Sequence, residues 1–361
     1  MASTLYDFAY FGLWKALYYL RMVAMVPRND SACPVSKKPA SNGYKIQLGF
    51  DVKALASFIM RGRIQAIIFT VVCAGLSLLL SPLNLLTGAG IALVTLRKGV
   101  HEGLLVTGGA AVVLAGLAVL ATQNATLSMI FLVSLSISVL PVMLLAWVLR
   151  STLSLGYTLS VAAMLGIFAV LLMYVVVGDP IMWWQETMIV ALEPALEQAK
   201  LSLGPAEIDQ MIASIAGWMT GIVAAALITG FLTSLFIGRT WQALLYNPDG
   251  FKQEYHSLSL GNKLGIFTLL VALIAMVTSG TLASMSGDIL WVLWVVYLFV
   301  GLAIVHRVVE VKSWSIAILV ALYVGLIIPQ VAMLVSLLGW ADTRLNFRSR
   351  LGVSGNTGDK S

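Results

Sequence analysis

Few side chains in this 361-residue chain are of types that do chemistry, and none are spaced to do it together. The three histidines, His101, His256 and His306, and the two cysteines, Cys33 and Cys73, lie far apart. They give no metal-ligand spacing, disulfide framework or nucleophile–base pair. No phosphate-cradling glycine loop, dinucleotide fingerprint or nucleophile elbow occurs. What remains are polar groups beside apolar runs: Glu102 next to His101, Asp288, and Gln330 next to Pro329. An acid held at membrane depth could hand on a proton or an ion, because a moving charge needs fixed partners. Asp288 opens an apolar run, where the helix dipole favours an acid; a ligand contact is the alternative. Gln330 reads as an interhelical hydrogen bond at a kink made by Pro329. Glu102 with His101 reads as a solvated helix start. No catalytic residue, metal or cofactor is expected, and the scarcity of buried charge disfavours a charge-driven transporter or an intramembrane protease.

The elements that must position these groups follow from composition. Apolar residues make up 60% of the chain and charged residues 11%, against roughly 25% charged in an ordinary soluble domain. A mean hydropathy of +0.94 leaves too much apolar surface for one core, so the bilayer must act as solvent for most of it. A water-soluble enzyme is excluded. The net charge of +6 is expected from Lys and Arg held on one membrane face and not from a nucleic-acid partner.

Apolar runs fall at 64–81, 83–96, 103–122, 128–149, 153–178, 212–238, 264–280, 287–306 and 313–338. They predict an all-α polytopic transmembrane bundle of eight or nine spans, with short or broken helices at 83–96 and 264–280. Residues 1–53 read as an N-terminal interfacial helix (Tyr6 to Val26) and a polar linker, 54–340 as the bundle, and 341–361 as a polar tail. Positive charges orient the bundle. Arg61, Arg150 and the Arg239 side, with Arg97, Lys98, Arg307 and Lys312, are expected in the cytoplasm. The 179–210 loop, with six acids against Lys200, is expected outside. Within it, Met182 to Leu203 has the spacing of an amphipathic helix, lying on the bilayer or closing an outward-facing pocket. Nine spans would place Arg344, Arg348 and Arg350 outside, against the positive-inside rule. Eight spans would return them and export Arg307 and Lys312.

Three groups of residues could make contacts. Ala213, Gly217, Gly221, Ala225, Thr229 and Thr233 recur every four residues and form a small-residue stripe. It either packs inside the chain's own bundle or forms a seam for a second subunit. Ala66, Thr70 and Ala74 form a weaker stripe. The 239–263 segment reads as an elbow, with Asn247, Pro248 and Gly250 making its turn and Trp241 and Phe251 flanking it. The elbow lies on the interface or docks a cytoplasmic partner.

Several separated segments carry a resemblance. They are Phe58-Ile59-Met60-Arg61-Gly62-Arg63; Val94-Thr95-Leu96-Arg97-Lys98-Gly99 with Glu102-Gly103; the elbow from Arg239 to Phe251, continuing to Glu254-Tyr255-His256; and Leu338-Gly339-Trp340-Ala341-Asp342 with Phe347-Arg348. They resemble the YybS-like family of bacterial membrane proteins, a domain of unknown function, over residues 54 to 352. More distantly, the early helices, with Pro82 before the basic turn at Arg97 and Lys98, resemble the membrane S components of energy-coupling-factor vitamin transporters and the cell-shape protein MreD. The S-component likeness implies a small-molecule-binding membrane component of the bacterial inner membrane that draws energy from partner subunits, with Ala66, Thr70 and Ala74 as its coupling stripe. The ligand expected from the lack of buried charge is small and uncharged or apolar. The MreD likeness implies a membrane scaffold acting through a protein partner or a second copy. Membrane lipid is a partner in either case.

Overall fold

The computed structural model describes residues 52–123, 125–199, 205–248 and 250–345. The expected N-terminal interfacial helix and linker, and the tail beyond Leu345, lie outside the described residues. Thirteen helices are described: α1 (Val52–Arg61), α2 (Arg63–Leu76), α3 (Leu83–Lys98), α4 (Val100–Thr122), α5 (Ala125–Thr152), α6 (Leu155–Val177), α7 (Pro180–Ala199), α8 (Pro205–Tyr246), α9 (Gly250–His256), α10 (Asn262–Val277), α11 (Thr281–Val311), α12 (Ala317–Gly325) and α13 (Pro329–Leu345). The described residues contain no strand. The chain reverses between α3 and α4 at Gly99 and between α6 and α7 at Gly178, whose φ values of 101° and 82° suit a residue without Cβ.

The bundle is all-α, as expected, and the protein is a membrane protein with fewer full-length spans than its apolar runs imply. Five helices, α4, α5, α6, α8 and α11, are long and apolar enough to cross a bilayer; a sixth span results only if α12 and α13 are taken as one. Three other runs fall short of the eight or nine expected for physical reasons. α2 has 14 residues and α10 has 16, roughly 21 and 24 Å at 1.5 Å per residue, against a hydrocarbon core of about 30 Å. α3 also has 16 residues, and every one from Thr87 to Leu96 is buried by the chain's own helices. The 313–338 run breaks at 326–328, where α12 and α13 meet at 113°. The outer loop and the 212–238 span were expected as separate pieces. In the structure, one 42-residue helix, α8, runs from Pro205 to the elbow.

Two apolar cores hold the bundle. One, around Leu159, Ile228, Leu232, Val292 and Val296, joins α6, α8 and α11. The other, around Phe69, Ile91, Leu93, Val106 and Val139, joins α2 to α5. Glycines set the closest approaches. A Cβ on Gly238 of α8 would lie 2.7 Å from the Ala89 carbonyl oxygen of α3. In the α11–α13 contact, a Cβ on Gly301 would collide with the Val335 carbonyl, and one on Gly339 with that of Tyr297. The Ser336 hydroxyl donates to the Trp294 carbonyl at 2.6 Å across the same contact.

Basic side chains tie helix ends together at one end of the bundle. Arg63 pairs with Glu102 (Nε to Oε2, 2.8 Å), and Arg150 donates to the Leu96 carbonyl at 2.8 Å. The Arg97 guanidinium lies 4.2 Å over the Tyr246 ring. Arg239 pairs with Glu254, and Lys252 and His256 both reach Glu310, at 2.6 and 2.7 Å. Two helical hairpins leave and return at this basic end. In the first, α2 and α3 meet at a tip where Leu78, Leu79 and Leu80 are 65%, 82% and 62% exposed. Near that tip a Cβ on Gly230 would sit 3.9 Å from Leu85, and residues 205–229 of α8 extend beyond it. In the second, α12 starts where α11 ends, with Tyr323 against His306 (ring centroids 5.8 Å). α13 then runs from the level of Trp294, whose indole donates to the Ala332 carbonyl at 3.4 Å, back to the first turn of α10. There the Trp340 indole donates to the Gly265 carbonyl at 3.3 Å.

Candidate functional site

At the opposite end of the bundle, α6, α8 and α11 converge on one carboxylate. Asp288 lies two turns into α11 and is 3% exposed, deeper than the helix-start acid that is one of its two expected roles, the other being a ligand contact. The reason for its burial is Gly221 of α8. A Cβ there would sit 2.8 Å from the Asp288 Cα and 2.7 Å from the Trp291 ring, so only glycine lets the two helices touch at this point. The Gly221 amide N–H donates to Asp288 Oδ1 at 2.9 Å, and the Tyr174 hydroxyl, at the end of α6, donates to Oδ2 at 2.8 Å. None of the ion pairs among the described residues involves Asp288.

Beside the carboxylate is a pocket of about 170 Å³, lined by Gly217, Trp218, Ser284, Gly287, Asp288 and Trp291. The Trp218 and Trp291 rings meet edge-on with centroids 5.9 Å apart. Trp291 in turn tilts against Trp294 at 4.7 Å. Gly217 and Gly287 face open space, where a Cβ would meet nothing within 4 Å, so the pocket exists partly because these positions carry no side chain. α7 closes in from the side: the Trp184 indole donates to Thr220 Oγ1 at 2.9 Å, one residue before Gly221. Asp179 caps α7, its Oδ1 accepting from the Ile181 and Met182 amides at 3.0 and 3.2 Å. With Glu186 and Asp209 it makes this the acidic end.

The other residues singled out from the sequence lie elsewhere. Glu102 is held by Arg63 at the basic end, where the pair joins α4 to α2. Gln330 is exposed in the first turn of α13, just after the 113° break, and among the described residues does not make the interhelical hydrogen bond expected of it. The 213–233 stripe is divided. Gly221 and Ala225 are buried inside the bundle, Gly217 opens on the pocket, and Ala213 is exposed. Ala66 and Thr70 are buried, 3% and 1% exposed, with Thr70 donating to the Ala66 carbonyl at 2.8 Å, so this stripe packs within the chain. In the elbow, Trp241 is buried edge-on to Phe69 at 6.0 Å and Phe251 packs on Phe236 at 5.7 Å. Asn247 and Pro248 of its turn are exposed, and Gly250 donates its amide to the Asn247 carbonyl at 3.1 Å.

Tyr174, Trp218, Ser284, Gly287 and Trp291 were not foreseen as site residues. The available signals were Asp288 as the one acid inside the apolar stretch 281–305, and tryptophans recurring near it at 291 and 294. Compared with family models, with curated proteins and with solved structures, the chain matches none.

Proposed function

We propose that this membrane protein is a small-molecule-binding component whose site is the Asp288 pocket, opening toward the acidic end of the bundle. The observation that carries this reading is a buried carboxylate, Asp288, beside a cavity bordered by two glycines, Gly217 and Gly287. Pockets that orient ligands combine apolar walls with a few placed polar groups. The sequence contains no nucleotide-binding motif, so any energy for movement of the ligand comes from partner subunits, as the likeness to S components implies. The resemblance to the YybS-like family is compatible with such a role and assigns none. The alternative, a scaffold acting through the 213–233 stripe or the Trp241–Leu258 elbow, has less support, because Gly221, Ala225 and Trp241 are buried within the chain. The positive-inside rule puts the basic end in the cytoplasm of a bacterial inner membrane and the Asp288 pocket toward the outside.

The test is to purify the wild-type protein from its native membrane beside Gly217→Leu and Gly287→Leu, and to identify bound small molecules by mass spectrometry. These variants grow a side chain into the open space of the pocket. A compound retained by the wild type and lost from both variants supports the proposal. No retained compound, or the same compound in all three, overturns it.

A further inference from the structure

The charge and size of the ligand can be argued from the same pocket, and this step rests on the small-molecule reading above. Asp288 is buried with two neutral donors, the Tyr174 hydroxyl and the Gly221 amide, which use two of the roughly four lone-pair positions of a carboxylate. A buried carboxylate with no cationic partner is strongly disfavoured and takes up a proton unless a positive charge is supplied from outside the chain; a cationic ligand would supply it. An inorganic divalent ion is a poor match: calcium takes six to eight oxygens and magnesium a full octahedron, whereas the pocket's side chains supply oxygens only from Asp288 and Ser284. What the walls do supply are two indoles, the aromatic faces that attract cations best, within about 6 Å of the ring centroid. The two rings touch edge-on, with centroids 5.9 Å apart, and both line the pocket, so a cation in it lies beside the pair and not between them. A bulky, weakly hydrated ammonium loses less solvation on entering such a site than a compact ion does. The volume of about 170 Å³ is close to the engineered cavity of about 150 Å³ that takes benzene, which sets a body of about six heavy atoms. The acids Asp179, Glu186 and Asp209 at the same end raise the local concentration of cations.

We propose that the Asp288–Trp218–Trp291 pocket binds a small alkylammonium cation, its charge against the carboxylate and its methyl groups against the indoles. The scarcity of charge in the spans predicted an uncharged ligand; one buried acid at the pocket wall reverses that.

The experiment titrates the full-length protein in lipid nanodiscs with choline and with its neutral carbon isostere, 3,3-dimethylbutan-1-ol, reading tryptophan fluorescence and calorimetric heat. Choline is expected to bind saturably and at least about tenfold more tightly than the isostere. Asp288→Asn is expected to remove that preference while keeping the circular dichroism and elution volume of the wild type. Trp291→Phe, which keeps a ring and the fold, is expected to weaken choline severalfold and the isostere little. Equal affinity for the two compounds overturns the cation assignment and leaves the small-molecule reading standing. Displacement of choline by sodium or potassium at equal concentration also overturns it. Binding of neither compound to folded wild type overturns it as well, and the mass-spectrometric comparison above then decides the broader reading separately.

Discussion

At the scale of single residues, the candidate site turns on one acid, Asp288, and the glycine that lets it be buried. If Asp288 served only the fold, Asp288→Asn should destabilise the protein. If it is kept for a ligand, removing an unpaired buried charge should raise stability, by about 1 kcal/mol in ligand-free protein, seen as a higher melting temperature in detergent. A lower melting temperature would assign Asp288 to the fold. Tyr174→Phe removes a donor from the carboxylate without changing shape and should cost about 1–3 kcal/mol, measured in the same way. The two glycines of the stripe should also behave differently. Gly221→Ala forces its methyl to within 3 Å of the Asp288 backbone and should cost about 1–3 kcal/mol by overpacking. Gly217→Ala enters open space and should cost little. In the sequence these glycines are equivalent members of a four-residue repeat. Which one is pressed against α11 and which borders a cavity depends on the position of a helix some seventy residues away, which no local pattern records.

At the scale of elements, legibility followed length. The runs at 103–122, 128–149 and 153–178 coincide with α4, α5 and α6 because a long apolar stretch can satisfy its backbone in lipid only as a helix. Other elements were hidden for reasons that can be named. The 83–96 run is as apolar as a span, yet α3 meets protein on every side, and composition does not distinguish lipid from a neighbouring helix as the surrounding solvent. The apolar residues of 313–338 likewise continue through the break, so Pro329 signalled a kink and not a turn of 113°. The break has a tertiary cause: α13 is drawn onto α11 by facing glycines, with the Ser336 hydroxyl bonded to the Trp294 carbonyl. Gly339→Ala should therefore release α13 without unfolding the bundle. Limited proteolysis should then cut near Arg344 several times faster than in wild type, while the five long helices stay intact; unchanged cleavage would mean that α13 is held by other contacts.

At the scale of the whole molecule, the two hairpins bear on the conflict that the positive charges posed. Nine crossings leave the Arg344 tail on the wrong side, and eight export Arg307 and Lys312. The structure brings the end of α13 back to the first turn of α10, where the Trp340 indole meets the Gly265 carbonyl, so Arg344 shares an end with Arg307 and Lys312. The α2–α3 hairpin fits the same scheme. Its tip is a run of exposed leucines, costly in water and suited to hydrocarbon, and α8 continues roughly 37 Å beyond the level of Gly230 at 1.5 Å per residue. If the bundle lies in the bilayer in this way, the five long helices cross, the 16-residue α10 joins the two ends although it is shorter than the hydrocarbon core, and both hairpins are expected to enter from the basic end. Cysteine labelling tests this arrangement. In a background with Cys33→Ser and Cys73→Ala, Asp209→Cys should react with a membrane-impermeant maleimide in intact cells. Arg344→Cys and Lys53→Cys should react only after the membrane is opened. Leu79→Cys at the first hairpin tip should stay unreactive to that reagent from either side, yet react with an apolar maleimide that enters the bilayer. Labelling of Leu79→Cys from outside in intact cells would mean that α2 and α3 cross fully. Labelling of Arg344→Cys from outside would mean that α12 and α13 form a true span, and the positive-inside rule would then fail at the C-terminal end of this chain.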